Sequence, residues 1–153
     1  MAACLALTLG LSVGGCDSMF PISSDHLEPG TFRYQVDGRT FEGEAVFSRN
    51  EEFSFAATVS METENLLSNS LRIGSDGLLN PTLRTNYRLE SGYMLLGGGG
   101  HVLVSGTVRI DAIEGNLIRG VFQVSMRRQP FFGPSGRRVT VNGAFAVLRA
   151  TEE

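Results

Sequence analysis

The sequence predicts an all-β fold, an antiparallel meander of eight or nine strands closed as a barrel or folded as a sandwich. Three observations carry that expectation. Apolar residues recur with a period of two from Phe32 to Val147. Turn-forming pairs such as Asp37-Gly38 separate the runs. No stretch has a persuasive 3.6-residue pattern, and Asn65 to Ser70 is the only segment where a single helical turn would fit.

The first two strands form a hairpin. Phe32, Tyr34 and Val36 alternate with Arg33 and Gln35, and Asp37-Gly38 follows. A two-residue turn there sets Tyr34 opposite Phe41, Phe32 opposite Gly43 and Arg33 opposite Glu42. Aromatic residues then meet on one face and opposite charges on the other, each pair contributing roughly 0.2–1 kcal/mol. The second strand continues through Ala45 and Phe47. After the polar turn Arg49-Asn50-Glu51-Glu52, a third strand places Phe53, Phe55, Ala57, Val59 and Met61 on one face.

In the middle, Leu71 and Ile73 mark a short strand ending at Gly74-Ser75-Asp76-Gly77. Leu83, Thr85, Tyr87 and Leu89 alternate with Arg84, Asn86 and Arg88, which reads as another strand. Ser91-Gly92 reads as a turn before a brief strand from Tyr93 to Leu96.

The last third has the clearest alternation. Val102, Val104, Gly106, Val108 and Ile110 share a face; so do Ile118, Gly120, Phe122, Val124 and Met126; so do Val139, Val141, Gly143, Phe145 and Val147. A slip of one residue would invert a strand, so pairing must keep these faces together. The first of the two hairpins then needs an odd loop. Three residues, Ile113 to Gly115, set Gly106 opposite Phe122 and Gly120 opposite Val108. In the second, Phe122 opposite Gly143 and Gly120 opposite Phe145 lets each ring cover a glycine. Interior glycines in a row predict a sharply coiled sheet, as in a small barrel.

Composition bounds the function. The chain has 153 residues, enough for one domain with one core. It is 42% hydrophobic and 19% charged, which fits a globular protein. The net charge of −3 and pI of about 5.4 give no global drive toward nucleic acid. All 13 basic residues are Arg, which excludes a Schiff-base lysine and a lysine-bearing phosphate loop. Two His and two Cys leave no ligand set for a multi-His or multi-Cys metal site, and no cofactor is implied.

Catalysis finds little support. The only His within 31–150 is His101, after Gly97-Gly98-Gly99-Gly100, and it reads as following a flexible connection. Glu42/Glu44, Glu51/Glu52 and Glu62/Glu64 are carboxylate pairs, and alternation turns the first pair outward into solvent. The expectation is a non-enzyme. A binding surface is easier to name. Arg127, Arg128, Arg137 and Arg138 flank a loop carrying Phe131 and Phe132, and the hairpin register sets Arg127 opposite Arg138. Like charges in that position are destabilising unless an anion bridges them. The loop is therefore a candidate contact for an anionic envelope component or a partner protein. The competing reading folds the two Phe back over the sheet end and leaves the Arg solvated.

Residues 1–16, MAACLALTLGLSVGGC, hold a short apolar run ending in Val13-Gly14-Gly15-Cys16. The run is too short to span a bilayer, which takes about 20 residues. The segment resembles a bacterial lipoprotein signal, in which a box of aliphatic, small, small, Cys is recognised and the Cys is acylated. The resemblance implies a signal peptide over 1–15, a lipid such as palmitate on Cys16, a flexible tether over 16–30 and an all-β domain over 31–150. It implies a membrane anchor at the cell envelope, on either the periplasmic or the surface side. Otherwise residues 1–16 belong to the fold and Cys16 is a buried thiol. His26 in the tether reads as a solvated residue.

From Phe32 to Val147 the order of elements also resembles small Bacteroidetes-type lipoproteins of unknown function. Val36-Asp37-Gly38-Arg39-Thr40-Phe41 matches their opening, and Gly106 to Ile110, Gly120 to Val124 and Val139 to Phe145 match their close. The resemblance implies a fold and an envelope location, and no reaction. The function expected is a lipid-anchored binding or accessory module. The alternatives are a lipocalin-like carrier of small hydrophobic ligands and a structural subunit of an envelope complex.

Overall fold

The computed structural model describes residues 20–49, 57–63, 69–129 and 136–149. Its strands are β1 (Thr31–Val36), β2 (Arg39–Arg49), β3 (Ala57–Glu62), β4 (Ser70–Ser75), β5 (Asn86–Arg88), β6 (Ser91–Leu96), β7 (Gly99–Glu114), β8 (Leu117–Arg128) and β9 (Arg138–Leu148). Eight of them close in the order β1-β2-β3-β4-β6-β7-β8-β9 and back to β1, every pair antiparallel. β5 lies outside this ring and pairs with β7. Of the barrel and the sandwich that the sequence left open, the barrel is the observed one, and closure leaves no long sheet edge unpaired within it.

The opening hairpin has the expected register throughout. Asp37 and Gly38 have φ of 49° and 73°, the left-handed pair whose twist matches that of the strands. Phe32 and Tyr34 stack on the inner face with ring centroids 5.2 Å apart, and Phe41 lies 5.2 Å from Tyr34 on the other strand. Arg33 and Glu42 pair on the outer face, half exposed, where such a bridge contributes little. Ala57, Val59 and Met61 of β3 are fully buried, as their alternation requires; Phe53 and Phe55 lie outside the described residues. So does most of the segment that allowed a helical turn, while Ser70 opens β4. A 3-10 turn over Asp76–Leu78 follows β4, capped by Ser75, whose Oγ accepts from Gly77 N and donates to Arg88 O.

Two expectations in the middle fail for identifiable reasons. The strand over Leu83 to Leu89 shrinks to β5, because Arg84 has φ of 57° and donates its N–H to Ile110 O. Ser91-Gly92 is no turn but the first rungs of β6, with Gly92 opposite Ile73. A Cβ on Gly92 would sit 3.1 Å from Leu103 Cβ, so this glycine serves a close approach across the barrel wall.

β7 departs from simple alternation twice. Bulges fall between Leu103 and Ser105 and between Ile110 and Ala112. Each inserts one extra residue and inverts the facing of the strand beyond it. The expected inner face therefore holds from Gly106 to Ile110 but not at Val102 and Val104. Beyond Val104, Leu103 pairs with buried Met126, His101 lies between Met94 and Arg128, and Val102 faces the outer rung of Arg127. The β7–β8 loop is likewise Gly115-Asn116, two residues and not three. The bulge at Asp111 absorbs the parity that a three-residue loop was expected to supply. Gly120 consequently faces Ile110, and Val108 faces Phe122.

The β8–β9 register is the expected one, including Phe122 opposite Gly143 and Gly120 opposite Phe145. A Cβ on Gly143 would meet Phe122 Cε1 and Tyr34 Cβ at 2.7 Å each, and one on Gly120 would meet Phe145 Cζ at 2.8 Å. The rings lie across the glycines, with Phe122 and Phe145 centroids 6.4 Å apart. Around the axis Phe32, Tyr34, Met61, Leu71, Ile73, Met94, Ile110, Phe122, Met126 and Phe145 are at most 1% exposed, so the interior is packed with side chains.

The expected tether is in part a docked strap. Phe20 is 7% exposed and packs with Val121 and Ala144 on the outer face of β8 and β9, flanked by Ile22 and Leu27. Arg119 Nη1 donates to Ser24 O at 3.1 Å and to Leu27 O. The Arg109 guanidinium lies 4.9 Å from the centroid of the Phe20 ring. Asp111, turned outward at its bulge, accepts from Arg109 Nε at 2.7 Å and from Ser24 Oγ. His26 is exposed, as expected.

Gly143→Val will lower stability by about 3 kcal/mol in urea titration, because Phe122 and Tyr34 occupy the space its side chain needs. Phe20→Ala will cost about 2 kcal/mol or more by stripping the cover from Val121 and Ala144. An unchanged midpoint for Phe20→Ala would mean the strap contributes nothing to the fold.

Candidate anion-binding surface

The hairpin of β8 and β9 ends in the candidate loop. Arg127 and Arg138 are direct cross-strand partners on the outer face, as the sequence predicted. Arg128 stands at the rim opposite His101, and its backbone N–H donates to Arg137 O at 3.3 Å. One residue on, Gln129 N donates to Gly100 O at 2.9 Å, tying this end to the β6–β7 turn. That turn is Gly97-Gly98, with φ of 57° and 78°; Gly99 and Gly100 already belong to β7. The four glycines are thus a tight turn and two ladder rungs, where the sequence was read as a flexible connection.

All four Arg are exposed, and none forms a salt bridge or side-chain hydrogen bond among the described residues. Arg33, Arg109 and Arg119 by contrast each meet a carboxylate. The structure therefore brings four unpaired guanidinium groups to one end of one hairpin. Phe131, Phe132 and Cys16, the other predicted site residues, lie outside the described residues.

Carboxylates gather elsewhere. Glu44 and Glu62 are cross-strand partners on β2 and β3 and have no cation partner among the described residues. With His26, Glu28, Arg33 and Glu42 they border an open groove of about 620 Å³. Among the described residues no group of three or more His, Cys, Asp and Glu is placed to hold a metal ion. His101 is 5% exposed and its Nδ1 lies 3.1 Å from Gly99 O; the contact is with backbone, and its neighbours across the ladder are Met94 and Arg128. No described helix is long and apolar enough to cross a membrane.

Among the described residues one buried side-chain polar atom is unsatisfied. The Tyr34 hydroxyl is fully buried and has no hydrogen-bond partner. Burial pushes its pKa from 10.0 up to about 12, because the phenolate would be stranded in an apolar interior.

Sequence reasoning found the Arg cluster but missed the network that seats the strap. Its signal was present: Phe20, Ile22 and Leu27 are apolar residues in a segment otherwise fit for a solvated linker. Asp111 gave no warning, since a bulge leaves no mark on composition.

Comparison of the chain with protein-family models and with curated proteins finds no match. The functional reading accordingly rests on the residues and their geometry.

Two measurements follow. Tyr34→Phe will be neutral or slightly stabilising at neutral pH, since it removes an unsatisfied hydroxyl. In the unfolded chain Tyr34 ionises near pH 10, while in the folded chain it stays neutral to about 12. The parent will therefore lose stability relative to Tyr34→Phe as pH rises from 10 to 12, by on the order of 2–3 kcal/mol in all. Arg138→Thr will stabilise the protein by about 0.5 kcal/mol at low salt by relieving Arg127. The gain will shrink at high salt, where the repulsion is screened.

Proposed function

We propose that this protein is a lipid-anchored, non-catalytic binding module of the cell envelope, which holds an anionic partner at the free end of its β8–β9 hairpin. The observation that carries this reading is the set of four exposed, unpaired Arg, two of them in direct cross-strand opposition. A folded protein retains such repulsion at a cost, and an anion bridging the guanidinium groups would remove it. Arg suits the task because its planar fork donates two parallel hydrogen bonds to phosphate or carboxylate.

The anchor is proposed from the Val13-Gly14-Gly15-Cys16 box. The non-catalytic reading is supported by His101, whose described ring contact is with the Gly99 carbonyl and not with a nucleophile or carboxylate. The barrel architecture is compatible with a small-ligand carrier, but the packed axis favours a ligand on the outside. A carrier would have to displace the ring layer of Phe32, Tyr34, Phe122 and Phe145 to make room.

Intact mass of protein extracted from its own membranes is expected to show a chain starting at Cys16 with added acyl mass, and Cys16→Ala is expected to lack both changes. Photo-crosslinking from position 129 is expected to capture an envelope component. Alanine at Arg127, Arg128, Arg137 and Arg138 is expected to abolish that capture while leaving the urea midpoint unchanged or raised. Capture that persists undiminished in the four-alanine chain would sink the binding reading.

A further inference from the structure

The Arg cluster and the strap lie on the same pair of strands. The chain can be followed backward from Gly30, whose N–H donates to Ala146 O. It passes Leu27 and Ser24 at Arg119, the cross-strand partner of Ala146. It reaches Phe20 at Val121 and Ala144, two rungs closer to the Arg end. Above Phe20 the outer face continues as Gln123 opposite Asn142, Ser125 opposite Thr140 and Arg127 opposite Arg138. That ladder carries no carboxylate.

Chain length then limits where an anchored barrel can sit. Cys16 precedes Phe20 by four residues, a span of at most about 14 Å when fully extended. The six residues from Val121 to Arg127 rise about 20 Å along β8. The strap is fastened at Phe20 by packing, at Ser24 and Leu27 by Arg119, and from the side by Arg109. An acyl group on Cys16 would thus enter its bilayer close to the outer face of β8 and β9, and the barrel could not stand clear of the surface on a long leash.

The charge distribution selects which way it faces. The unpaired Glu44 and Glu62 sit on β2 and β3, three and four places round the eight-strand ring from β8. An orientation that brings the Arg end to the membrane turns these carboxylates away from it, and the exposed Asp25 and Glu28 of the strap lie beside residues held at Arg119, eight residues along β8 from Arg127. The net charge of −3 would repel an anionic surface in any orientation that did not sort the charges in this way.

We infer that the anionic partner of Arg127, Arg128, Arg137 and Arg138 is the phospholipid headgroup layer of the membrane that holds the chain, so that the barrel docks on its bilayer by the outer face and free end of β8 and β9. This rests on the reading of the Arg end as an anion-binding surface. The strap supplies proximity and the Arg supply orientation.

The test uses the full-length Cys16→Ala chain, which cannot be acylated, with two kinds of vesicle. One is phosphatidylcholine alone; the other is one third phosphatidylglycerol. Any apolar partitioning by residues 1–15 contributes to both, so the ratio of the two affinities is the quantity read. Binding is expected to favour the anionic vesicles by more than tenfold and to fall as salt is raised. Each Arg→Gln change in the cluster is expected to weaken it about fivefold. Glu44→Gln with Glu62→Gln is expected to leave it nearly unchanged, although it shifts net charge. Equal affinity for the two vesicles, or equal gains from neutralising the Glu pair, would overturn the inference. So would Arg-dependent capture of a protein in the envelope without preference for anionic vesicles; the anion-binding reading would then stand and its lipid partner would not. Acyl mass on the native chain is measured separately, and its absence would remove the anchor whatever the vesicles show.

Discussion

Barrel closure depends on the interlock of rings and glycines along the β1–β9–β8 seam. Phe122 projects over Gly143, and Phe145 projects over Gly120. Tyr34, directly opposite Gly143 on β1, brings its Cβ into the same space. Glycine weakens an isolated strand, so these positions make sense only once the sheet has coiled enough for the rings to fill what the missing side chains leave. The interlock also fixes register. A slip of two residues would keep the apolar faces inward, but one direction would set Phe122 against Phe145 and the other Gly120 against Gly143, giving a clash or a void.

That register determines everything at the free end of the hairpin. With Phe122 held at Gly143, Arg127 must fall opposite Arg138, and Arg128 must fall at the rim beside His101. The same register aligns Val121 with Ala144 on the outer face, making the small apolar seat that Phe20 fills. Strap and Arg cluster are thus two consequences of one pairing. The strap is reinforced by side chains from β7 and β8 together, since the bulge at Asp111 holds its carboxylate beside Arg109 and within reach of Ser24.

Much of this was legible in the sequence. Asp37-Gly38 fixed its hairpin because two left-handed residues in succession have few other uses. The faces of β8 and β9 were legible because every second residue from Ile118 to Met126 and from Val139 to Val147 is apolar or glycine. β7 was only half legible. A bulge changes facing without changing composition, so the apolar run around Val104 concealed the point where His101 and Leu103 turn inward. Leu83 to Leu89 misled for a related reason: alternation persists through Arg84, but its positive φ breaks the strand. At the candidate site the Arg pair was legible because it follows from register alone. The strap was not, because the docking of a Pro-containing segment depends on a seat formed by residues a hundred positions away.

The places where local rules are broken are therefore informative about function. Gly106, Gly120 and Gly143 break strand propensity, and each is compensated by a neighbour that fills its space. The bulge at Asp111 breaks the ladder, and it is compensated by Arg109 and Ser24. The apposition of Arg127 and Arg138 breaks the rule against like charges across a rung, and nothing in the described chain compensates it. Glu44 opposite Glu62 on β2 and β3 is the matching violation of the opposite sign, likewise without a counter-ion among the described residues. On the proposed function, an anion at the outer face and free end of β8 and β9 would relieve the Arg pair, whose two side chains leave neighbouring positions of one rung.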